Sequence, residues 1–218
     1  MKLIHSFLKG LLDFLFPKKK EILILESISG SQLLERLPVA PPLSDEILAL
    51  FDYSNNVVKE IIWEIKYGGN KALAEKIGGL LYDVIMEEIH ERNVLSKWSS
   101  AILLPMPTSD KRRFERGWNQ AELIARGIKN FDIGGNLKYL SGQLVKIRHT
   151  ESQTRTASKS ERKQNLRDSM MVQHPASVAG KFVILVDDVV TTGSTFAEAR
   201  RALRKVGVKK ILCIAIAH

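Results

Sequence analysis

Apolar residues in this chain follow two patterns, and each pattern predicts a different kind of element. Short, largely apolar runs predict strands, at 101–104, 144–147, 170–172, 182–186 and 210–217. Apolar residues at helical spacing predict helices, at 3–16, 56–67, 70–89, 121–128 and 194–206. Because strands and helices alternate, we expect an α/β fold with a mainly parallel sheet flanked by helices.

The first predicted helix, Leu3 to Phe16, is amphipathic and is followed by the basic run Lys18 to Lys20. Two charged residues interrupt its apolar stretch and no small-residue cleavage site follows, which disfavours a secretory signal or a transmembrane span. We expect the apolar face to dock on the chain itself. A membrane surface and a partner protein are the alternatives.

The domain organisation is suggested by length and by prolines. A chain of 218 residues is long enough for one domain with an appendage or for two small domains. Pro41 and Pro42 break regular structure and mark a linker. We therefore expect an N-terminal helix and linker at 1–42 and one main domain at 43–218.

Composition adds a charge bias to this picture. The chain has 33 Lys and Arg against 24 Asp and Glu, which gives a net charge of +9. Such a surface suits an anionic substrate, nucleic acid or an acidic partner. The single cysteine, Cys213, excludes an intrachain disulfide and a cysteine-cluster metal site. Its apolar surroundings predict a small core residue in a cytoplasmic protein.

The richest chemistry follows the apolar run Phe182 to Val186, where Asp187 and Asp188 come directly after the predicted strand. Ligands of open α/β sheets bind at the carboxyl ends of strands. The next loop combines Gly193 with hydroxyl side chains and the free N–H groups of a helix start, which favour a phosphate. The hydroxyl residues are Thr191, Thr192, Ser194 and Thr195.

The two carboxylates beside this loop can accept hydrogen bonds from a vicinal diol or help to hold Mg²⁺. Together with the phosphate loop they describe a site for ribose 5-phosphate. A buried strand that ends in an aspartate turn and a capped helix is the simpler alternative. It does not explain two carboxylates followed by four hydroxyls around one glycine. A P-loop NTPase is disfavoured because its signature is missing from the sequence.

A second strand, loop and helix unit starts at Ala101 and carries a basic loop after Pro105 and Pro107. Gly117 permits the bend into the following helix. Such a loop suits a pyrophosphate, and a solvated basic surface is the alternative. The basic residues are Lys111, Arg112, Arg113 and Arg116. Upstream, the turn at 66–69 offers a cation and backbone donors to a phosphate, although an ordinary helix-ending turn explains it equally well.

The segment Val-Asp-Asp-Val-Val-Thr-Thr-Gly-Ser-Thr resembles the phosphoribosyl pyrophosphate (PRPP) fingerprint of type I phosphoribosyltransferases. Pro-Met-Pro followed by Arg-Gly-Trp-Asn-Gln-Ala, with the earlier Ile-Lys-Tyr-Gly-Gly, is similar to the ComF (GntX-like) competence-associated branch, from about Leu50 onward. The resemblance implies that Arg116, Gly117 and Asn119 belong to a pyrophosphate loop, which also includes Arg112 and Arg113. Family members commonly continue from the N-terminal segment into a four-cysteine zinc ribbon, which this chain cannot build.

Residues 146–170 contain few aliphatic and many basic and polar side chains. In type I phosphoribosyltransferases the corresponding region is a flexible hood that closes over the substrates. By that resemblance we assign Gln153, Arg162 and Asn165 to the hood. A basic arm that contacts nucleic acid is the rival interpretation.

The resemblance implies transfer of a phosphoribosyl group between Mg-pyrophosphate and a nitrogenous base, with Mg²⁺ held directly or indirectly by Asp187 and Asp188 and with no zinc. Some 6-oxopurine enzymes have an acidic residue where this chain has Thr191, which disfavours hypoxanthine and guanine. The alternative is a module that senses PRPP or a nucleotide and contacts single-stranded DNA or competence proteins. A homodimer is expected by resemblance alone.

Overall fold

The computed structural model describes residues 20–41, 43–97, 100–147 and 168–218. The predicted helix Leu3 to Phe16 lies outside these residues. The helices are α1 Lys20–Ser27, α2 Gly30–Arg36, α3 Asn56–Trp63, α4 Lys71–Glu91, α5 Val94–Lys97, α6 Asp110–Arg116, α7 Gln120–Phe131 and α8 Ser194–Lys205. The strands are β1 Ile47–Phe51, β2 Ala101–Pro105, β3 Leu137–Tyr139, β4 Leu144–Lys146, β5 Met170–Val172, β6 Phe182–Val189 and β7 Lys210–Ala217.

Among the described residues, five strands form one parallel sheet in the order β1-β7-β6-β2-β3, and β4 and β5 form a separate antiparallel pair. The predicted class, an α/β fold with a mainly parallel sheet flanked by helices, is confirmed. β6 lies at the centre, and Phe182 to Val186 are fully buried, as expected for a strand covered on both faces. β1 was not predicted, because its short apolar run lacks a clear boundary.

The strand order reverses between β2 and β6. From β2 the chain passes through α7 to β3 on one side, and from β6 it passes through α8 to β7 on the other side. In parallel sheets a crevice opens at the carboxyl ends of the strands where the order reverses. The loops that follow β2 and β6 therefore border one crevice.

Helices α4 and α7 cross at a pair of glycines. A Cβ atom on Gly78 would lie 2.5 Å from the backbone nitrogen of Ile128, and one on Gly127 would lie 2.5 Å from the carbonyl oxygen of Ala74. The two helix backbones are thus in direct contact, with no room for a side chain at either position. This crossing places both helices over one face of the sheet.

The short helices α1 and α2 join the main core rather than stand apart from it. Ile22, Leu25 and Leu33 are buried in the same apolar cluster as α4. The ammonium of Lys76 donates to two carbonyls in the last turn of α1, those of Leu25 (2.8 Å) and Glu26 (2.7 Å). It also donates to the carbonyl of Ile28, which follows the helix. It thereby satisfies carbonyl groups that a helix end leaves without partners.

Three elements differ locally from the predictions. The helix predicted over 56–67 divides into α3 and a π-helical turn, Glu64–Gly68, which ends at Gly69 in the left-handed region. The loop predicted after Pro107 contains helix α6, which starts at the cap residue Ser109. β6 continues through both aspartates to Val189, because pairing with β7 extends as far as Val189 and Ala217.

Two smaller predictions can also be checked. Cys213 is buried in β7, as predicted, and burial raises the pKa of its thiol to about 12. None of the described helices is long and apolar enough to cross a membrane.

We predict that Gly78→Ala destabilises the protein by about 3 kcal/mol, because the new methyl group meets the backbone of α7. The control is Gly79→Ala on the same helix. There the nearest atoms belong to the half-exposed ring of Phe131, which can move, so a change within about 1 kcal/mol is expected. Urea denaturation measures both, and equal effects would contradict the glycine crossing.

Candidate functional site

The loops that follow β2 and β6 meet at the carboxyl edge of the sheet. Pro105 pairs with Val186 across the two strands, and the N–H of Met106 donates to the Val186 carbonyl at 2.8 Å. The prolines at 105 and 107 cannot extend the ladder, so the chain leaves the sheet here. The basic loop therefore begins beside the two aspartates that follow Val186.

The carboxylates of Asp187 and Asp188 have different surroundings. Asp188 is 5% exposed, and Asp187 is partly exposed. Asp187 Oδ1 accepts a hydrogen bond from the Asp188 N–H at 2.9 Å. Burial raises the pKa of Asp187 well above the usual range of an aspartate, the Asp188 carboxylate raises it further, and Lys146 acts in the opposite direction. Burial and the neighbouring carboxylate thus both oppose the ionisation of Asp187 at the rim of the sheet.

Asp188 faces a lysine from the π-helical turn. Lys66 Nζ lies 3.1 Å from Asp188 Oδ2. The distance makes this an ion pair, but the oxygen has no hydrogen bond of acceptable geometry among the described residues. A buried carboxylate oxygen without such a bond keeps its capacity to accept one from a ligand.

The loop after the aspartates has an open glycine at its centre. Gly193 has φ 69° and is the cap residue of α8, so the cap position itself supplies no side-chain acceptor, and the Ser194 N–H donates to Thr192 Oγ1 at 3.4 Å. A Cβ at Gly193 would meet only Ile47 Cδ1, at 3.8 Å, so the glycine is required by its conformation rather than by crowding. The hydroxyls of Thr192 and Ser194 lie 2.9 Å apart. An uncapped helix start with hydroxyls beside it suits a phosphate.

The predicted basic residues do not form one cluster. Arg113 lies 3.7 Å from Glu122. The guanidinium of Arg116 lies over the ring of Tyr67, 4.7 Å from its centroid, and donates to Gln120. Gly117 has φ 81° and ends α6, with open space at its Cβ position. α6 therefore presents its arginines on different sides.

Asn119 is buried and both groups of its side chain are engaged. Its Oδ1 accepts from the Ala121 N–H at 3.1 Å, which caps α7, and its Nδ2 donates to the Met106 carbonyl at 2.9 Å. The side chain thus joins the turn after β2 to the start of α7. In this structure Asn119 shapes the basic loop.

The structure places Lys146 near the acidic pair. Nothing in the sequence pattern singled out this lysine. It lies on β4, where burial lowers its pKa, Arg112 lowers it further, and Asp187 acts in the opposite direction. Arg112, Lys146 and Asp187 are thus electrostatic neighbours. A lysine at the end of a short strand gave no sequence signal of this role, because β4 reaches the site only through tertiary packing.

The assigned hood residues Gln153, Arg162 and Asn165 lie outside the described residues. The described residues on either side of the segment 148–167 are held together, because Lys146 pairs with Met170 and the Ile147 N–H donates to the Ser169 carbonyl. Glu198 on α8 accepts hydrogen bonds from the N–H groups of Ser169 and Met170. Ser169 and Met170, which follow the segment 148–167, are thereby attached to α8.

Basic side chains of α8 are largely paired with carboxylates. Arg201 binds Glu198 and Asp168, and Lys205 also binds Asp168. Arg200 pairs with Glu46, which precedes β1. These contacts fasten α8 to neighbouring loops and leave few of its charges for a ligand.

The residues present fit a magnesium ion that is shared with a substrate. Asp187 and Asp188 supply the oxygen ligands that Mg²⁺ prefers. The described residues contain no group of three side chains able to hold a metal. A metal at this site would therefore take its other ligands from substrate oxygens and water, as Mg²⁺ commonly does with phosphates.

Residues 124–218 match the phosphoribosyl transferase domain family. The chain is 26% identical over 171 residues to the DNA utilization protein YhgH of Escherichia coli. The alignment covers 78% of this chain and 71% of that protein. It is 34% identical over 110 residues to competence protein F of Haemophilus influenzae. This alignment covers 50% of this chain and 46% of that protein.

Among solved structures, the glutamine PRPP amidotransferase from Bacillus subtilis matches with a TM-score of 0.39 and 18% identity. The match covers 70% of this chain and 30% of that longer one.

The parallel sheet flanked by helices is consistent with the type I phosphoribosyltransferase fold, and residues 124–218 match that domain family. Beyond that domain, the chain is similar to proteins named as competence and DNA utilization proteins. The resemblance found in the sequence is thus confirmed.

We predict that Asn119→Ala destabilises the protein by about 1 to 3 kcal/mol, because it removes a helix cap and leaves a buried carbonyl without its donor. The control is Asn130→Ala, on the exposed side of the same helix, where the amide donates to Glu75 at 3.2 Å. Thermal and urea denaturation measure the difference. A loss of stability no larger than that of Asn130→Ala would contradict the joining role of Asn119.

Proposed function

We propose that the chain binds PRPP with Mg²⁺ in the crevice between the loops after β2 and β6, and that it transfers the phosphoribosyl group to or from a nitrogenous base. The observation that carries the proposal is the order of groups after β6 at the point where the strand order reverses. Two carboxylates come first and an uncapped glycine turn follows. This order matches a ribose that carries a 5-phosphate.

The 5-phosphate is assigned to the glycine turn. Its donors are the N–H groups at the start of α8 and the hydroxyls around Gly193, and the helix dipole adds to their attraction for an anion. The loop hydroxyls are accessible, since Thr191 and Thr192 are exposed. The assigned residues are Thr191, Thr192, Gly193, Ser194 and Thr195.

The ribose hydroxyls are assigned to Asp187 and Asp188, whose carboxylates accept hydrogen bonds from a diol. The pyrophosphate is assigned to the basic loop after β2, with Asn119 as the residue that shapes it. The assigned residues of that loop are Arg112, Arg113, Arg116, Gly117 and Asn119. Gln153, Arg162 and Asn165 are assigned to the hood by family resemblance alone.

In the proposed reaction the bond from the anomeric carbon to pyrophosphate breaks, and its electron pair leaves with the pyrophosphate. A nitrogen of the acceptor supplies the pair for the new bond. The two aspartates stabilise the positive charge that develops on the ribose, and the arginines stabilise the leaving group. Bound Mg²⁺ supplies further charge neutralisation at the pyrophosphate. No protein nucleophile is needed, because positioning and electrostatics carry the reaction.

Calorimetric titration of Mg-PRPP tests this proposal. We expect micromolar binding by the wild-type protein and none by the Asp187→Asn/Asp188→Asn variant, because amides cannot replace both carboxylates at a diol and a metal. Asp83→Asn, an exposed position on α4, is the control and should bind as the wild type does. If the folded wild-type protein binds no Mg-PRPP, the proposal fails.

Binding alone does not establish transfer. Release of pyrophosphate in the presence of candidate bases, lost in the double aspartate variant, separates an enzyme from a module that only senses PRPP.

A second candidate function, binding of single-stranded nucleic acid, is favoured by an aromatic surface beside the basic loop. Trp63 and Tyr67 are 54% and 48% exposed, and their rings lie 5.6 Å apart. Arg116 lies against the Tyr67 ring. Exposed aromatic rings next to cations stack bases and attract the phosphate backbone. Relatives of the chain are named as DNA utilization and competence proteins.

We predict that Trp63→Ala/Tyr67→Ala weakens binding of a labelled oligothymidine by at least about tenfold, since each stacked base contributes about 1 to 3 kcal/mol. Fluorescence anisotropy at several salt concentrations measures it, and the wild-type affinity should fall as salt rises. Phe131→Ala removes a half-exposed ring at the far end of α7 and should leave binding unchanged. Equal binding by the double aromatic variant would exclude this surface.

A further inference from the structure

We propose that Lys66 is a substrate-binding residue, whose ammonium pairs with Asp188 in this structure and pairs with the pyrophosphate of PRPP when that ligand binds. This inference rests on the proposed PRPP function and names a residue of that site that lies outside both predicted loops. Its basis is the ion pair between Lys66 Nζ and Asp188 Oδ2 at 3.1 Å and the way the π-helical turn is held.

The turn that carries Lys66 is fastened to the basic loop by the residues on both sides of the lysine. Ile65 accepts a hydrogen bond at its carbonyl from the indole N–H of Trp118 at 3.2 Å. The ring of Tyr67 lies against the guanidinium of Arg116. Lys66 is therefore held between the loop assigned to pyrophosphate and the carboxylate assigned to ribose.

The end of the turn fits closely against the same loop. Gly69 has φ 60° and its Cβ position lies 2.9 Å from the Trp118 ring, so only a glycine gives both the left-handed conformation and the close contact. The π-helical geometry inserts an extra residue per turn, a feature that is frequent at functional sites. Together these contacts give the Lys66 backbone a defined position at the crevice.

The ion pair itself indicates a contact that can be exchanged. Lys66 is 28% exposed and Asp188 is 7% exposed at the side chain, so the carboxylate is buried while the lysine still reaches solvent. The pair also lacks hydrogen-bond geometry at Oδ2. A ribose hydroxyl can therefore donate to Asp188, and the flexible lysine stem allows the ammonium to turn toward a neighbouring phosphate.

Without a ligand, Lys66 offsets the charge of a carboxylate that is buried beside a second one, which reduces the cost of burying both. With PRPP bound, the negative charge in the crevice increases, and the same ammonium compensates for it. One lysine thus serves both states of the site. If the ion pair had a purely structural role, its loss would change the affinities for PRPP and for ribose 5-phosphate to the same extent.

The test compares Lys66→Met with the wild type by calorimetric titration of Mg-PRPP and of ribose 5-phosphate. We expect Mg-PRPP affinity to fall by about 10- to 100-fold, the value of one charged hydrogen bond. Ribose 5-phosphate affinity should stay within about threefold, because this ligand has no pyrophosphate. Lys71→Met, an exposed lysine at the start of α4, is the charge-matched control and should change neither affinity.

A second measurement avoids the unpaired aspartate that Lys66→Met leaves behind. In an Asp188→Asn background, the lysine has no buried charge to neutralise, so removing it should not prevent folding. Mg-pyrophosphate is then titrated into Asp188→Asn with and without Lys66→Met. We expect a loss of about tenfold or more in the double variant, since both proteins lack the Asp188 carboxylate and differ only at Lys66.

The outcomes separate the two proposals. If the wild-type protein binds Mg-PRPP and both Lys66→Met variants lose no more affinity than Lys71→Met, the role of Lys66 is wrong and the proposed function stands. Equal losses for Mg-PRPP and ribose 5-phosphate, without a loss for Mg-pyrophosphate, also contradict it. If the wild type binds no Mg-PRPP, both proposals fail.

Discussion

The crevice depends on the enclosure of β6 within the parallel sheet. β6 is paired along one edge with β2 and along the other with β7, and its apolar residues are fully buried. Polar side chains can be placed only where this strand reaches the rim, and Asp187 and Asp188 lie there. The same enclosure withdraws water from the carboxylates, which is why burial is the main cause of the raised pKa of Asp187. Folding thus creates the electrostatic character of the site.

The helices over the sheet bring a third segment to the two loops. α4 and α7 cross at Gly78 and Gly127, about two helical turns after the start of each helix. The segments that precede the two helices are in contact, because the Trp118 indole packs on Gly69 just before α4. The close crossing of α4 and α7 is thereby linked to the position of the π-helical turn. Packing and site geometry are parts of one arrangement.

Much of the site could be predicted because its chemistry is contiguous in the chain. Two carboxylates, four hydroxyls and one glycine follow a strongly apolar run, and the direction of a parallel strand places them at one rim. The parallel sheet was predictable for a related reason, since buried strands and amphipathic helices have different periods. β1 and the division of the helix at 56–67 were not predictable, because short runs and local changes of helix type have weak sequence signals.

Sequence alone determined the fold class and the order of groups after β6, because local apolar patterns and a short motif encode them. Only the tertiary structure decided which charged residues meet. It set Lys66 against Asp188, placed Lys146 near Asp187 and Arg112, and engaged both groups of Asn119 in shaping a loop. These partners are distant in the chain and carry no common pattern. Their pairing follows from strand order and helix packing, which are properties of the folded chain as a whole.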